Sequence, residues 1–135
     1  MNQELQPIVS HPTDGRVYKL GAADNIEVTF KADGAEVANK YSITEWWMDK
    51  DSPGVGPHVH ETNDELIYVL EGRASVLVNE DWVQMEKGGL VVIPAGIRHG
   101  FRNDSEQRIG VLNIFLSGAY EAMMPQIQAM FAHRA

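Results

Sequence analysis

The chain has 135 residues, 44% of them hydrophobic, and a formal net charge of −8 with only 11 Lys and Arg. That length suits one domain, and the acidic balance without a basic run excludes the phosphate-neutralising surface that nucleic acid or an anionic membrane requires. Cysteine is absent, which removes disulfides, thiolate ligands and a thiol nucleophile, so any metal site must be built from imidazole and carboxylate.

Residues 1–14 contain Pro7, Pro12 and the Asp14-Gly15 turn pair without sustained periodicity. They are expected to form an arm ahead of a single domain over residues 15–135. Met1–Pro7 lacks an apolar signal region and no run approaches the ~18 apolar residues of a membrane span, so a cytoplasmic location is expected.

Ten short segments follow that alternate in polarity or are rich in β-branched and aromatic residues: Arg16–Leu20, Glu27–Lys31, Tyr41–Met48, Pro57–His60, Glu65–Leu70, Ala74–Val78, Trp82–Met85, Leu90–Ile93, His99–Arg102 and Gly110–Leu116. Most are bounded by Gly, Pro, Asn or Asp, and their close spacing predicts an all-β antiparallel jelly roll or barrel. After Gly118, Ala122, Met123, Ile127, Met130 and Phe131 fall at helical spacing. This predicts a C-terminal helix within Ala119–Ala132 packed on the outside of the barrel, with Pro125 near its start or interrupting it.

Side chains alternate across a strand, so His58 and His60 project to one side. Glu65 opens the next segment after a link short enough to return the chain antiparallel as in a hairpin, which is expected to bring its carboxylate beside the pair. His99 follows the turn Pro94-Ala95-Gly96, in which proline is expected to lead the central pair with φ of about −65°. Three nitrogens and one carboxylate oxygen suit one divalent transition metal: Fe, Mn, Co, Ni, Cu or Zn. His11 and His133 lie in the terminal segments and are expected to be solvated. Glu61 and Asp64 read as loop charges, and Asn103 as a structural residue satisfying backbone groups.

The run His58-Val59-His60, four residues, Glu65, six residues, Gly72 resembles the first motif of the cupin superfamily. Gly88, five residues, Pro94-Ala95-Gly96, two residues, His99, three residues, Asn103 resembles the second. The fifteen residues between them are similar to the spacer of small microbial cupins, and the likeness covers Pro53 to Asn103. It departs at Ser52, where the family usually has glycine, although Gly54 and Gly56 are close by. The resemblance implies a double-stranded β-helix with His58, His60, Glu65 and His99 as metal ligands, and a homodimer in which Leu66, Tyr68 and Leu70 could pack on a sister sheet. Within the superfamily the single-domain pattern resembles the quercetin-dioxygenase-like group.

That resemblance implies metal-dependent dioxygenation of a small enol, phenol or dione. The alternatives are a redox-silent isomerase or lyase and a non-catalytic small-molecule binder, because one barrel and one ligand set serve many reactions. Glu65 is the expected catalytic residue, able to take a proton from a substrate hydroxyl. Phe101, Ile67 and Val69 have the inward parity of His99 and Glu65, and with Trp46 and Met48 they are the expected substrate pocket. Arg98 and Arg102 have the opposite parity, which leaves the interior short of cations and favours neutral or aromatic ligands.

Overall fold

Residues alternating between apolar and polar can bury one face of a strand and wet the other, and ten such segments pair into two sheets. They are β1 (Arg16–Leu20), β2 (Ile26–Ala32), β3 (Ser42–Met48), β4 (Val55–His58), β5 (Glu65–Glu71), β6 (Arg73–Val78), β7 (Asp81–Glu86), β8 (Leu90–Ile93), β9 (His99–Arg102) and β10 (Ile109–Phe115). The structure, a computed structural model, describes residues 4–132, so His133 lies outside the described residues. All strand pairs are antiparallel, in the orders β1-β2-β3-β10-β5-β8 and β4-β9-β6-β7. This is the expected jelly roll.

Between the sheets, Ile26, Val28 and Phe30 of β2 meet Val76 and Phe101 of the opposite sheet in one buried cluster. Three neighbouring strands change character along their inward rows in the same direction. β3 runs Met48, Trp46, Thr44, Ser42; β5 runs Val69, Ile67, Glu65; β10 runs Ile109, Val111, Asn113, all of them buried. Register places Met48 opposite Ile109 and sets Ser42 and Glu65 on either side of Phe115. The barrel therefore has an apolar floor and a polar mouth.

Several expectations change. The fourth strand starts and ends two residues earlier than the alternation predicted, because Gly56 and Pro57 belong to it, and His60 lies just past its end. The link from His60 to Glu65 is not a hairpin. It crosses from the smaller sheet to the larger one.

The C-terminal helix α1 (Met124–Ala132) follows a 3₁₀ turn at Tyr120–Met123. Pro125 is its second residue, where the missing N–H has no intrahelical partner to lose. Its buried residues are Met124 and Phe131, with Ile127 partly buried against the core, while Met123 and Met130 are exposed. The predicted Met face is one residue out of phase. No helix among the described residues is long and apolar enough to cross a membrane.

Residues 4–14 form no strand and are exposed, and Leu5, Pro7 and Ile8 flank a cavity of about 350 Å³ against Val37, Tyr41 and Ile43. At Ser52 the chain does not need positive φ, because Asp51 (φ 59°) and Gly54 (φ 61°) carry the left-handed turns. Ser52 is buried and its hydroxyl accepts from Gly54 N–H at 3.2 Å. A Cβ on Gly54 would lie 2.1 Å from the Phe101 carbonyl oxygen, so glycine here lets the chain entering β4 approach β9 closely. Asn103 is buried with a full set of hydrogen bonds.

Candidate metal centre

Four side chains converge at the polar mouth. His58 ends β4 and pairs with His99, the first residue of β9. His60 follows two residues after His58, and Glu65 opens β5 from the opposite sheet. One donor atom from each lies within 4.8 Å of the other three, close to the span of about 4.2 Å between opposite ligands on an ion with ~2.1 Å bonds.

Ring orientation adds a second observation. The Nδ1 atoms of His58 and His99 lie 2.7 Å from the Gly56 carbonyl and 2.9 Å from the Ile97 carbonyl. A carbonyl accepts only, so Nδ1 carries the proton and Nε2 presents its lone pair, the arrangement that backs most metal-bound imidazoles. His99 Nε2 is buried without a hydrogen-bond partner. Glu65 Oε1 is 3.5 Å away, an ion-pair distance too long for a good hydrogen bond. The donor set and this orphaned nitrogen fit a divalent transition ion.

The backbone holds the four in place across a long sequence separation. Gly96 N–H donates to the His60 carbonyl at 2.8 Å, and Ala95 N–H donates to Asp64 Oδ1 at 2.9 Å. Asp64 is thus more than a loop charge: it ties the link carrying His60 and Glu65 to the turn preceding His99. In that turn Pro94 occupies the first position, accepting from Ile97 N–H at 3.3 Å, and Gly96 takes φ 86°. Proline therefore precedes the central pair instead of leading it.

A model of the Cupin domain matches residues 46–115, just over half of the chain, and this stretch contains all four candidate ligands. The chain belongs to the cupin family. Among curated proteins it is similar to acireductone dioxygenase 1 of Sorghum bicolor, 38% identical over 64 residues, covering 44% of this chain and 35% of that protein. The chain thus spans about a third of the length of the curated relatives it matches. An RmlC-like cupin from Shewanella frigidimarina superposes with TM-score 0.71 at 15% identity, covering 89% of this chain and 99% of that one. A predicted oxalate decarboxylase from Thermotoga maritima gives TM-score 0.73 at 18% identity, covering 81% and 98%. At these identities the structures speak for the fold alone.

Beside the ligands, the mouth of this cupin is lined by Trp46, Val55, Phe101, Asn113, Phe115 and Tyr120, and encloses about 20 Å³ for the centre of a water molecule. That is room for one or two waters. Phe101 and Trp46 reach it, their rings 5.4 Å apart and edge to face. Ile67, Val69 and Met48 do not line it: they face inward but sit one or more strand steps below Glu65 and Thr44, each two-residue step being about 6.6 Å, and they fill the floor. Arg102 stacks on Trp82 at 3.8 Å and Arg98 bonds the Asn79 carbonyl, so the lining carries no cation. Asn113, Phe115 and Tyr120 were not anticipated. Only Asn113 left a trace in the sequence, as a polar residue at the core parity of Ile109 and Val111.

Burial pushes the Glu65 carboxyl up, but the imidazoles of His60 and His99 outweigh it and hold the group at about 2, below its ordinary 4.5. Burial pushes His99 down, yet Glu65 and the Ile97 carbonyl outweigh it and the net direction is up. His58 goes down because burial dominates. The sign for Glu65 follows from linkage: a depressed folded value stabilises above about pH 4.5, and that contribution is lost as pH falls towards 2. We expect the urea midpoint of the metal-free protein to fall between pH 5 and pH 3, and Glu65→Gln to flatten the part of this slope that Glu65 contributes. An unchanged slope in the variant would show that Glu65 gains nothing from its imidazole neighbours.

Proposed function

We propose that this cupin holds one ion from the set Fe, Mn, Co, Ni, Cu and Zn through His58, His60, Glu65 and His99, and dioxygenates a small enol or dione. The observation that carries the reading is the convergence of three imidazoles and one carboxylate at the barrel mouth, with His99 Nε2 buried and otherwise unpartnered. The likeness to acireductone dioxygenase over 64 residues supports oxygen chemistry over other metal-dependent reactions.

When bound, such an ion supplies Lewis acidity and one-electron chemistry at the coordination positions the four ligands leave open. The chain's own residues do the rest. Gly56 and Ile97 carbonyls keep His58 and His99 in the ligating tautomer. Glu65, held at about 2 while it faces His60 and His99, can take the proton from a substrate hydroxyl once it loosens from its place among the imidazoles. Trp46, Val55, Phe101 and Phe115 exclude bulk water from the reacting oxygens. The small cavity supports a compact substrate over a fused-ring phenol.

Elemental analysis of protein purified without chelator, followed by oxygen uptake with small enols and diones, tests the reading. We expect one redox-capable ion per chain and oxygen consumed in step with substrate. Zinc with product formed anaerobically would favour an isomerase or lyase, and binding without product a sensor or carrier. Glu65→Gln should lower turnover further than it lowers metal affinity; equal losses would reduce Glu65 to a ligand.

A further inference from the structure

Besides His99, the polar mouth holds two side chains, Asn113 and Tyr120, whose hydrogen-bonding capacity is unused among the described residues. Of the inward polar residues on β3, β5 and β10, Ser42 donates to Asp33, Thr44 accepts from Trp46 Nε1 at 3.0 Å, and Glu65 faces His60 and His99. Asn113 is 8% exposed and lines the cavity, and its carboxamide has no hydrogen-bond partner among the described residues. Its polar atoms are not among the fully buried ones without a partner, so the carboxamide opens into the cavity, where water or a ligand oxygen can meet it.

Tyr120 approaches the same cavity from the other side. Its hydroxyl likewise has no partner among the described residues. Its ring lies 5.5 Å from Phe115 and 6.0 Å from Phe30, and Phe115 in turn lies 4.7 Å from His60. The buried carboxylate of Asp33 accepts from the backbone N–H of Tyr120 at 3.0 Å and of Glu121 at 3.2 Å. The Glu121 carboxylate is itself held by Arg16 Nε at 2.7 Å and the Tyr18 hydroxyl at 2.8 Å. The residue that ends in a free hydroxyl is thus clasped at its backbone.

We propose that the Asn113 carboxamide and the Tyr120 hydroxyl form a hydrogen-bonding subsite for an acceptor oxygen of a small ligand held at the metal centre. Both groups donate, and the cavity contains no Lys or Arg. The ligand is therefore a neutral or singly anionic oxygen compound such as an enolate or vicinal dione, and not a phosphate or dicarboxylate, which would require a cation. Burial first, and the Glu65 charge second, push Tyr120 up to about 12, which keeps it a donor at neutral pH. This subsite rests on the metal reading above.

The test uses the nickel-loaded full chain and acetohydroxamate, a small chelator with two adjacent oxygens. Calorimetry first measures nickel affinity and then acetohydroxamate affinity for the wild type, Asn113→Leu and Tyr120→Phe. Each variant is expected to bind nickel within about twofold of the wild type and acetohydroxamate about tenfold more weakly, the loss that one good hydrogen bond carries. Metal-free Asn113→Leu is expected to melt no lower than the wild type, since the amide has no protein partner to lose. A side chain with a purely structural role would lower that melting temperature instead. Unchanged acetohydroxamate affinity in both variants would overturn the subsite with the metal reading intact. Failure of the wild type to take up nickel would count against the metal reading, while the melting temperature of Asn113→Leu still decides whether the amide lacks a partner.

Discussion

Replacing His99 with alanine is expected to remove most of the stabilisation that a divalent ion confers on this protein. An ion present at about a thousand times its dissociation constant stabilises a folded protein by about 4 kcal/mol when the unfolded chain does not bind it. His99 is 1% exposed, opens β9 and offers a nitrogen with no other partner. Losing a residue that merely supports a ligand costs metal affinity about 10- to 100-fold, and losing the ligand costs at least the upper figure. At the same metal concentration the variant should therefore gain no more than about 1.4 kcal/mol. Melting each protein with and without metal makes each its own reference, so any change in metal-free stability drops out. A variant that kept the full metal-dependent shift would exclude His99 from the site.

The second large effect is at the other end of the same strand. Asn103 Nδ2 donates to the carbonyls of Met48, Asp49 and Gln107 at 3.1, 3.0 and 2.7 Å, and Oδ1 accepts from Ser105 N–H and its hydroxyl at 3.0 and 2.6 Å. One 1%-exposed side chain thus joins the end of β3 to the loop between β9 and β10. Alanine would leave buried carbonyls and an amide without partners, at about 1–3 kcal/mol each less what entering water recovers. We expect Asn103→Ala to cost about 3 kcal/mol and lower the melting temperature by about 10 °C. Metal affinity should stay within a few-fold, because Asn103 lies about 13 Å along the strand from His99. A tenfold or greater loss of metal affinity would mean that the floor of the barrel governs its mouth.

The strands were legible because period-two alternation is strong in them: β1, β8 and β9 match the sequence reading at both ends. β4 was misplaced because Gly56 and Pro57 carry no alternation, although their backbone still pairs with β9. The four candidate ligands were legible as a set because histidine and glutamate at motif spacing are chemically distinctive. Depth was not. Parity says which face Ile67, Val69 and Met48 occupy, but not how far each lies from the mouth, and that depends on the stagger between strands. Asp64, Tyr120 and Asp33 were illegible for another reason: their partners are 31, 87 and 88 residues away for the bonds that matter. Nothing local marks them.

The crossing of the chain between sheets at His60 and Glu65 has a consequence for the order of folding events. His58 and His99 belong to the four-stranded sheet, whereas Glu65 belongs to the six-stranded one. The complete set comes together only when the two sheets meet, so an ion held by all four would bind after that step. An interaction formed after the transition state slows the way out without speeding the way in. If the sheets dock after the rate-limiting barrier, an ion held there would act as a brake on unfolding and not as a nucleus for folding.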